Sequence, residues 1–447
     1  MPIRPICFVV MPFGTKETGA TQPNPLRIDF DALWRDAISP ALESLGYRAV
    51  RADQDTGAVI VKEMLERLFF FHLVIADISI ANANAYYEIG VRHAAREDNC
   101  VLIAADWAKP VFDLQQIRRI PYFLPEERIS ANTALSIRNT LTKAIPDACA
   151  GRSPVHTLIS GYPSIPADNR RVQELADQLD EFETLRGQLL AIRNMPAQDR
   201  LAAADAFLSN HLPADIRLDA AAIEIFHFIR DVCGDWSRTI AFIDALPASI
   251  RDTPYLREQR ALAQSYQGSH TDAVAALEAL IRRYGDSCER SGLIGGRYKK
   301  LYNASIQAGK PDRRMLDRAI EAYERGMFLN LNEYYCSCNL PQLYRERDDD
   351  GDNEQANAVA AVARLACERA RQRGNVDEWL KPTLLGLAFS ERNSTLARQL
   401  TREVEREGSD AWKIGSTLAD LRRHVSQMKN PAIEADFSAL IDRLATA

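Results

Sequence analysis

Over residues 1 to about 150, short apolar runs alternate with amphipathic stretches. "ICFVVMPF" predicts a buried strand. "FDALWRDAISPALESLGY" then places Phe30, Leu33, Trp34, Ile38 and Leu42 on one helical face, with Gly46 closing it. "RAVRAD" reads as a second strand, "AVIVKEMLERLFFFH" as a second helix and "LVIADIS" as a third strand. "AYYEIGVRHAARE" gives a third helix and "CVLIAAD" a further strand. Strand and helix alternate at βαβ spacing, which predicts a parallel sheet covered by helices on both faces.

After about residue 170 the strand pattern stops. "YQGSHTDAVAALEALIRRYG", "AGKPDRRMLDRAIEAYERGM" and "SERNSTLARQLTREVERE" each open on a turn and then repeat Ala or Leu at i, i+3, i+4 and i+7. The design resembles tetratricopeptide-type helix pairs, in which small residues let neighbouring helices approach. The register between copies is irregular, so a plain bundle of helix hairpins stays open as an alternative. "GRSPVHTLISGYPSIPADNRR" is rich in Gly, Pro and Ser and reads as a linker. The expected organisation is therefore an α/β domain over 1–150, a linker over 151–172 and an all-α array over 173–447. "RERDDDGDNEQAN" is a solvated charged loop without the ligand spacing of a calcium site.

Composition narrows the function. The chain has 447 residues, 46% of them apolar, and a net charge of −6. That charge gives no reason to expect nucleic acid or an anionic membrane as partner. The longest apolar stretch, near Leu68–Ile80, is too short to span a bilayer. The eight cysteines are scattered apart from Cys336 and Cys338, and the seven histidines do not cluster. No metal site is expected, and reduced thiols fit a cytoplasmic protein.

"VIADISIANANAYYEIGVRHAAR", Val74 to Arg96, begins as a strand and ends as a helix, with acids and amides between. In open α/β sheets ligands sit beyond the carboxyl ends of the strands. Three polar loops fall there. The first holds Met11, Pro12, Phe13 and Gly14. The second holds Arg51, Asp53 and Asp55. The third holds Asp77, Ser79, Asn82 and Asn84, followed by Tyr87 and Glu88 in the first turns of the helix. From the residues alone, Glu88 is either a helix-start carboxylate or one aimed at a ligand, and Asp77 either a turn acceptor or a positioning group.

The D-x-S…N-x-N-x-x-Y-E-x-G pattern after an M-P-F-G strand end resembles the nucleoside 2-deoxyribosyltransferase-like proteins, relatives of TIR domains, over roughly residues 5–145. The resemblance implies a flavodoxin-like, TIR-like fold. It implies that Glu88 is the catalytic carboxylate and that Asp77 positions the ribose or base. Where the family often has N-P-N, this chain has Asn82-Ala83-Asn84, which keeps both amides. The chemistry suits one carboxylate. Breaking an N-glycosidic bond develops positive charge on the anomeric carbon, and a nearby carboxylate can stabilise or attack it. In "PVFDLQQIRRIPY", Arg118 or Arg119 offers a bidentate phosphate contact, with a solvated surface charge as the alternative.

In the second half, "GGRYKKLYNA", "AIEAYERGMFLNLNEYYCSCNL" and "DEWLKPTLLGLAFSERN" set Arg, Lys, Tyr, Trp or Asn beside repeat helices. They resemble the tetratricopeptide-like TRAF-binding region of apoptosis signal-regulating kinases, also found in bacterial defence proteins, over roughly 180–430. Gly296, Arg297, Tyr298 and Lys299 match one motif, and Tyr335 with Asn339 another. Met327 replaces the usual Phe, and Pro341 follows Asn339, which bears on the helix geometry there. The resemblance implies a module that senses a nucleotide-derived molecule. Arg297, Lys300, Tyr335, Asn339 and Trp379 are the candidate sensor residues: aromatics would stack on a base and cations would pair with phosphates. Packing between repeats is the alternative reading.

The combined expectation is a nucleotide-signalling or antiviral-defence effector. Its first domain would cleave NAD or a related nucleotide as substrate, with no cofactor required, under control of the helical array. A homo-oligomer and a protein partner docking on the repeats are also expected. The competing expectation is a non-catalytic nucleotide-binding scaffold.

Overall fold

A computed structural model describes residues 4–446 apart from 52–60, 110, 112, 113, 115, 116, 164, 373–376, 408–410, 427 and 429. The chain divides into two compact units, Met1–Leu185 and Arg186–Ala447.

The first unit is built on a five-stranded parallel sheet. Its strands are β1 (Ile6–Val10), β4 (Arg48–Arg51), β5 (Leu73–Asp77), β6 (Cys100–Ala105) and β7 (Arg119–Tyr122), in spatial order β4-β1-β5-β6-β7. β1 and β5 are buried along their whole length, as strands covered on both faces must be. Cys7 and Val9 on β1, with Leu73 and Ile75 on β5, face one apolar layer, filled by Leu33, Ile38, Leu42, Ile137 and Leu141. Phe8, Val74 and Leu102 point the other way, onto Leu68, Phe71, Ile89, Val172 and Leu175. The second layer includes the opening turns of the long helix Asn169–Arg193. A segment whose sequence groups it with the array thus starts on the sheet.

Several features are absent from the sequence reading, among them the helix Ala131–Cys149. The loop after β1 forms an antiparallel hairpin of β2 (Thr15–Glu17) and β3 (Arg27–Asp29). The "RRIPY" segment supplies the edge strand β7. The first helix is also irregular, with a π-helical stretch at Trp34–Ile38 between α-helical ends.

The second unit is helical throughout its described residues. Neighbours pair as antiparallel hairpins: Pro254–Tyr266 with His270–Tyr284, Cys288–Gln307 with Arg313–Leu329, and Tyr334–Arg347 with Asp352–Gln372. The turn glycines Gly268 and Gly309 sit at φ +92° and +71°, a region other residues rarely adopt. Close helix approach rests on glycine too. A β-carbon at Gly295 would lie 2.7 Å from the Tyr323 ring, and one at Gly326 would lie 2.4 Å from the Cys336 sulfur. The Tyr334–Arg347 helix runs through Pro341 without a break in its helical assignment. No described helix is long and apolar enough to cross a membrane.

Candidate functional site

In the first unit the strand order reverses between β1 and β5, and the carboxyl ends of these two strands are where doubly wound sheets carry their ligand crevice. Val10 and Ala76 are register partners at that edge. The chain continues from β1 into Met11–Gly14, and β5 ends on Asp77.

Asp77 is fully buried, and its carboxylate is committed to the protein. Its Oδ1 accepts from the Ser79 backbone N–H at 2.8 Å, and its Oδ2 accepts from the Tyr122 hydroxyl at 2.5 Å. The Ser79 and Tyr122 hydroxyls lie 2.9 Å apart, and the Ala105 N–H donates to Ser79 Oγ at 2.8 Å. These bonds tie the end of β5 to the ends of β6 and β7. Burial raises the Asp77 carboxyl, offset in part by the bonds from Tyr122 and Ser79. Asp77 and Ser79 therefore hold the floor of the crevice rather than face a ligand.

Glu88 differs. Asn82 caps the helix Ala83–Ala95, its side chain accepting from the Asn84 and Ala85 N–H groups at 3.0 and 3.3 Å. Those bonds satisfy the helix start, so Glu88, one turn further in, is not the cap. It is 9% exposed, and burial lifts its carboxyl to about 7. Among the described residues, no hydrogen bond or ion pair holds it. Asn84 and Tyr87, at i−4 and i−1 from Glu88, are both exposed.

The other expected contacts separate. Met11 is core, and Pro12 is buried beside it. Phe13 is exposed, whereas the Gly14 N–H is taken by Asp31 Oδ1 at 3.1 Å. Arg51 pairs with the same Asp31 at 2.8 Å. Asp53 and Asp55 lie outside the described residues. Arg118 and Arg119 are corrected by topology: Arg119 opens β7 and so stands at the amino end of a strand whose carboxyl end, Tyr122, reaches Asp77. The Arg118 side chain is 68% exposed, with Asp147 at 3.9 Å. Neither is placed to hold a phosphate in the crevice.

The second unit gathers a different set. Arg297 is 4% exposed, and its Nε and Nη1 atoms are buried without a hydrogen-bond partner. An unpaired buried guanidinium is costly unless something else completes it. One turn away, Lys300 Nζ lies 3.7 Å from the Tyr266 ring centre. Burial first, then the Arg297 and Lys299 charges, lower its ammonium to about 8. Among the described residues, no carboxylate forms an ion pair with either cation. Glu289 is exposed at the start of the same helix, Cys288–Gln307. Tyr335 packs edge-on against Tyr323 at 6.3 Å. Its hydroxyl would lie 4.0 Å from a β-carbon at Gly296, beside Arg297 in sequence.

Aromatic rings wall this region. Trp236 stacks on Tyr266 at 4.1 Å, and Trp412 meets Trp236, Tyr266 and Trp379 edge-on at 5.6, 6.0 and 5.6 Å. Trp236, Tyr266 and Trp412 escaped sequence reasoning because they stand far apart in the chain, each without a local motif. Trp379 belongs to this wall. Asn339 is also engaged: its Oδ1 accepts from Lys299 Nζ at 2.8 Å, and its Nδ2 donates to the Tyr335 carbonyl at 2.9 Å. Lys299 in turn pairs with Asp420 at 2.8 Å, which ties in the helix Ala411–Ser426. Of the five expected sensor residues, Arg297, Lys300 and Tyr335 remain as ligand-facing candidates, while Asn339 and Trp379 support them.

Residues 235–344 match the Tetratricopeptide Repeats-Sensor family, TPR-S. No curated protein matches the chain. Among solved structures, the MamA RS-1 ArsTM double mutant is 15% identical with a TM-score of 0.31, over 43% of this chain and 97% of that one. A monomeric IFIT1 mutant with m7Gppp-AAAA is 14% identical with a TM-score of 0.36, over 60% of this chain and 62% of that one. A tetratricopeptide repeat protein from Parabacteroides merdae is 12% identical with a TM-score of 0.29, over 59% of this chain and 99% of that one. The family match spans Trp236, Tyr266, Arg297, Lys300 and Tyr335, so the candidate residues in the helical array lie within the stretch similar to that family.

Proposed function

We propose that the helical array senses a phosphate-bearing nucleotide and that its occupancy controls cleavage of an N-glycosidic bond at Glu88 in the α/β unit. The observation that carries this reading is Arg297, a buried guanidinium with two unpaired nitrogens beside a second cation. A phosphate would accept a hydrogen bond from either of these nitrogens, and its charge would raise the lowered Lys300 ammonium. The sensor description of the matched family agrees with a ligand at this place.

The catalytic half rests on Glu88 and on the resemblance of the α/β unit to the deoxyribosyltransferase-like and TIR-related proteins. A carboxyl near 7 is about half ionised at neutral pH. Its charged form would stabilise the oxocarbenium-like carbon of NAD or a related nucleotide, and exposed Tyr87 and Phe13 offer ring faces to a base. Nicotinamide leaves as a neutral molecule, so no second acid is required.

The sealed Asp77 favours a second reading. Without a free acid at the strand end, the unit would bind a nucleotide but not cleave it, and the repeats would serve protein partners. Incubating the purified chain with NAD and a nucleoside panel, with and without added nucleotides, decides between the two by chromatography of free base. Base release that disappears in Glu88→Gln supports cleavage. Nucleotide binding by calorimetry with no base released under any condition supports the scaffold. Absence of any nucleotide-binding heat from the wild-type chain removes the sensing half.

A further inference from the structure

We propose that Cys288 and Cys336 form a peroxide-responsive thiol pair, in which Cys288 is oxidised first and Cys336 closes a disulfide onto it. All eight cysteines are free thiols in this structure. The Cys288 and Cys336 sulfurs lie 3.5 Å apart, in contact across two different helices, although 48 residues separate them in sequence. The Cys336 thiol also reaches the Cys288 carbonyl at 3.2 Å.

Glycine makes the contact possible. Gly292 and Gly326 leave open the space around the Cys336 sulfur; a β-carbon on either would stand 3.1 or 2.4 Å from it. No side chain therefore separates the two thiols. A disulfide needs the sulfurs to close from 3.5 Å to about 2.05 Å.

The two thiols are unequal in the way such a pair requires. Cys288 is half-buried, whereas Cys336 is fully buried, so a small oxidant in solution meets Cys288 first. Cys288 is also the first residue of the 20-residue helix Cys288–Gln307, whose start is capped by Ser287. The positive end of a helix favours a thiolate there. The hydrogen bond with Cys336 outweighs burial and brings the Cys288 thiol below its ordinary value, and the same bond raises Cys336. Burial raises the remaining six thiols.

The chemistry balances with a hydroperoxide as oxidant. The Cys288 thiolate attacks one peroxide oxygen, the O–O bond breaks, and a sulfenic acid forms as hydroxide leaves. The Cys336 sulfur then attacks the Cys288 sulfur, the S–O bond breaks, and the hydroxyl departs as water with the Cys336 proton. Two electrons pass from the thiol pair to the peroxide. The bond would staple the helix Cys288–Gln307 to the helix Tyr334–Arg347, next to Glu289 and Tyr335. The proposal needs no ligand in the array and stands apart from the nucleotide reading.

The test treats the reduced full-length chain with stoichiometric hydrogen peroxide, alkylates it and maps its peptides by mass spectrometry. The expected product is a peptide pair joined through Cys288 and Cys336, lighter by two hydrogens and separated by dithiothreitol. In Cys336→Ser, dimedone should trap a sulfenic acid on Cys288; in Cys288→Ser, Cys336 should stay reduced. Untreated wild type adds a measurement that needs no variant: limiting iodoacetamide should label Cys288 at least tenfold faster than Cys7. Cys288 left reduced while other cysteines oxidise, bridging of Cys288 to a different partner, or labelling of Cys288 no faster than Cys7 would each overturn the pair.

Discussion

Two carboxylates, one ending β5 and one inside the helix that follows, have opposite fates, and the difference lies in their neighbours. Asp77 has a hydroxyl and an N–H within bonding distance, whereas Glu88 has burial without a partner. The Glu88 carboxyl is raised from 4.5 unfolded to about 7 folded. Below pH 4.5 both states hold the proton and nothing is lost. Between 4.5 and 7 the unfolded chain releases it first, so folding stability falls as pH rises, by roughly 3 kcal/mol once above 7. Glu88→Gln cannot ionise; thermal melts should find it as stable as wild type at pH 4 and more stable at pH 8. Base release, if the carboxylate is the working form, should climb through pH 7 in wild type and drop by about two decades or more in the variant. Equal melting shifts at both pH values would show that Glu88 carries no ionisation cost. For Asp77 the informative change is Tyr122→Phe. It strips a buried carboxylate of its hydroxyl donor and should cost about 2–3 kcal/mol in chemical denaturation. The sequence pointed to Glu88 and Asp77 because both follow a strand at helix-start spacing. The resemblance gave them different roles, but the residues alone could not separate them, because Tyr122 arrives from β7, 45 residues further along.

At the scale of elements, periodicity located the central strands and the helix pairs, since burial on both faces or on one stripe is written into local sequence. It missed what depends on distant partners. β7 is a four-residue edge strand containing Pro121, tolerable only because an edge leaves that backbone position unpaired on one side. The hairpin of β2 and β3 has almost no apolar pattern, and one buried residue, Ile28, anchors it to the core. Small residues in the array were legible as a sign of close helix approach, and their positions make a direct test. Gly326→Ala puts a methyl 2.4 Å from the Cys336 sulfur and 3.0 Å from the Ser291 β-carbon. Strain of about 1–3 kcal/mol should exceed the gain in helix propensity, so the melting temperature should fall. Gly386→Ala, in a helix with nothing within 4 Å of the new β-carbon, should instead stabilise by about 0.5–1 kcal/mol. If both substitutions shift stability the same way, close packing at Gly326 is not what glycine provides there.

For the molecule as a whole, the sensing proposal ties stability to function at Arg297. A protein selected only for folding would not keep a guanidinium buried with two nitrogens unpaired, because an apolar side chain of similar length removes that penalty. Arg297→Met should therefore leave the ligand-free chain as stable as wild type, or stabilise it by about 1–3 kcal/mol. The same variant should lose the rise in melting temperature that a bound nucleotide produces in wild type, since that rise measures binding to the folded state alone. Control of the α/β unit by the array requires more: the ligand must favour the active arrangement over the resting one, or it shifts nothing. Three chains assayed together separate these steps. Wild type should bind nucleotide and release base faster when it is present. Arg297→Met should keep basal release, yet respond neither in melting nor in rate. Glu88→Gln should keep the melting response and lose release. A nucleotide that stabilises Arg297→Met as much as wild type would move the sensor away from Arg297. A nucleotide that stabilises wild type but leaves its rate unchanged would retain the sensor and end the coupling.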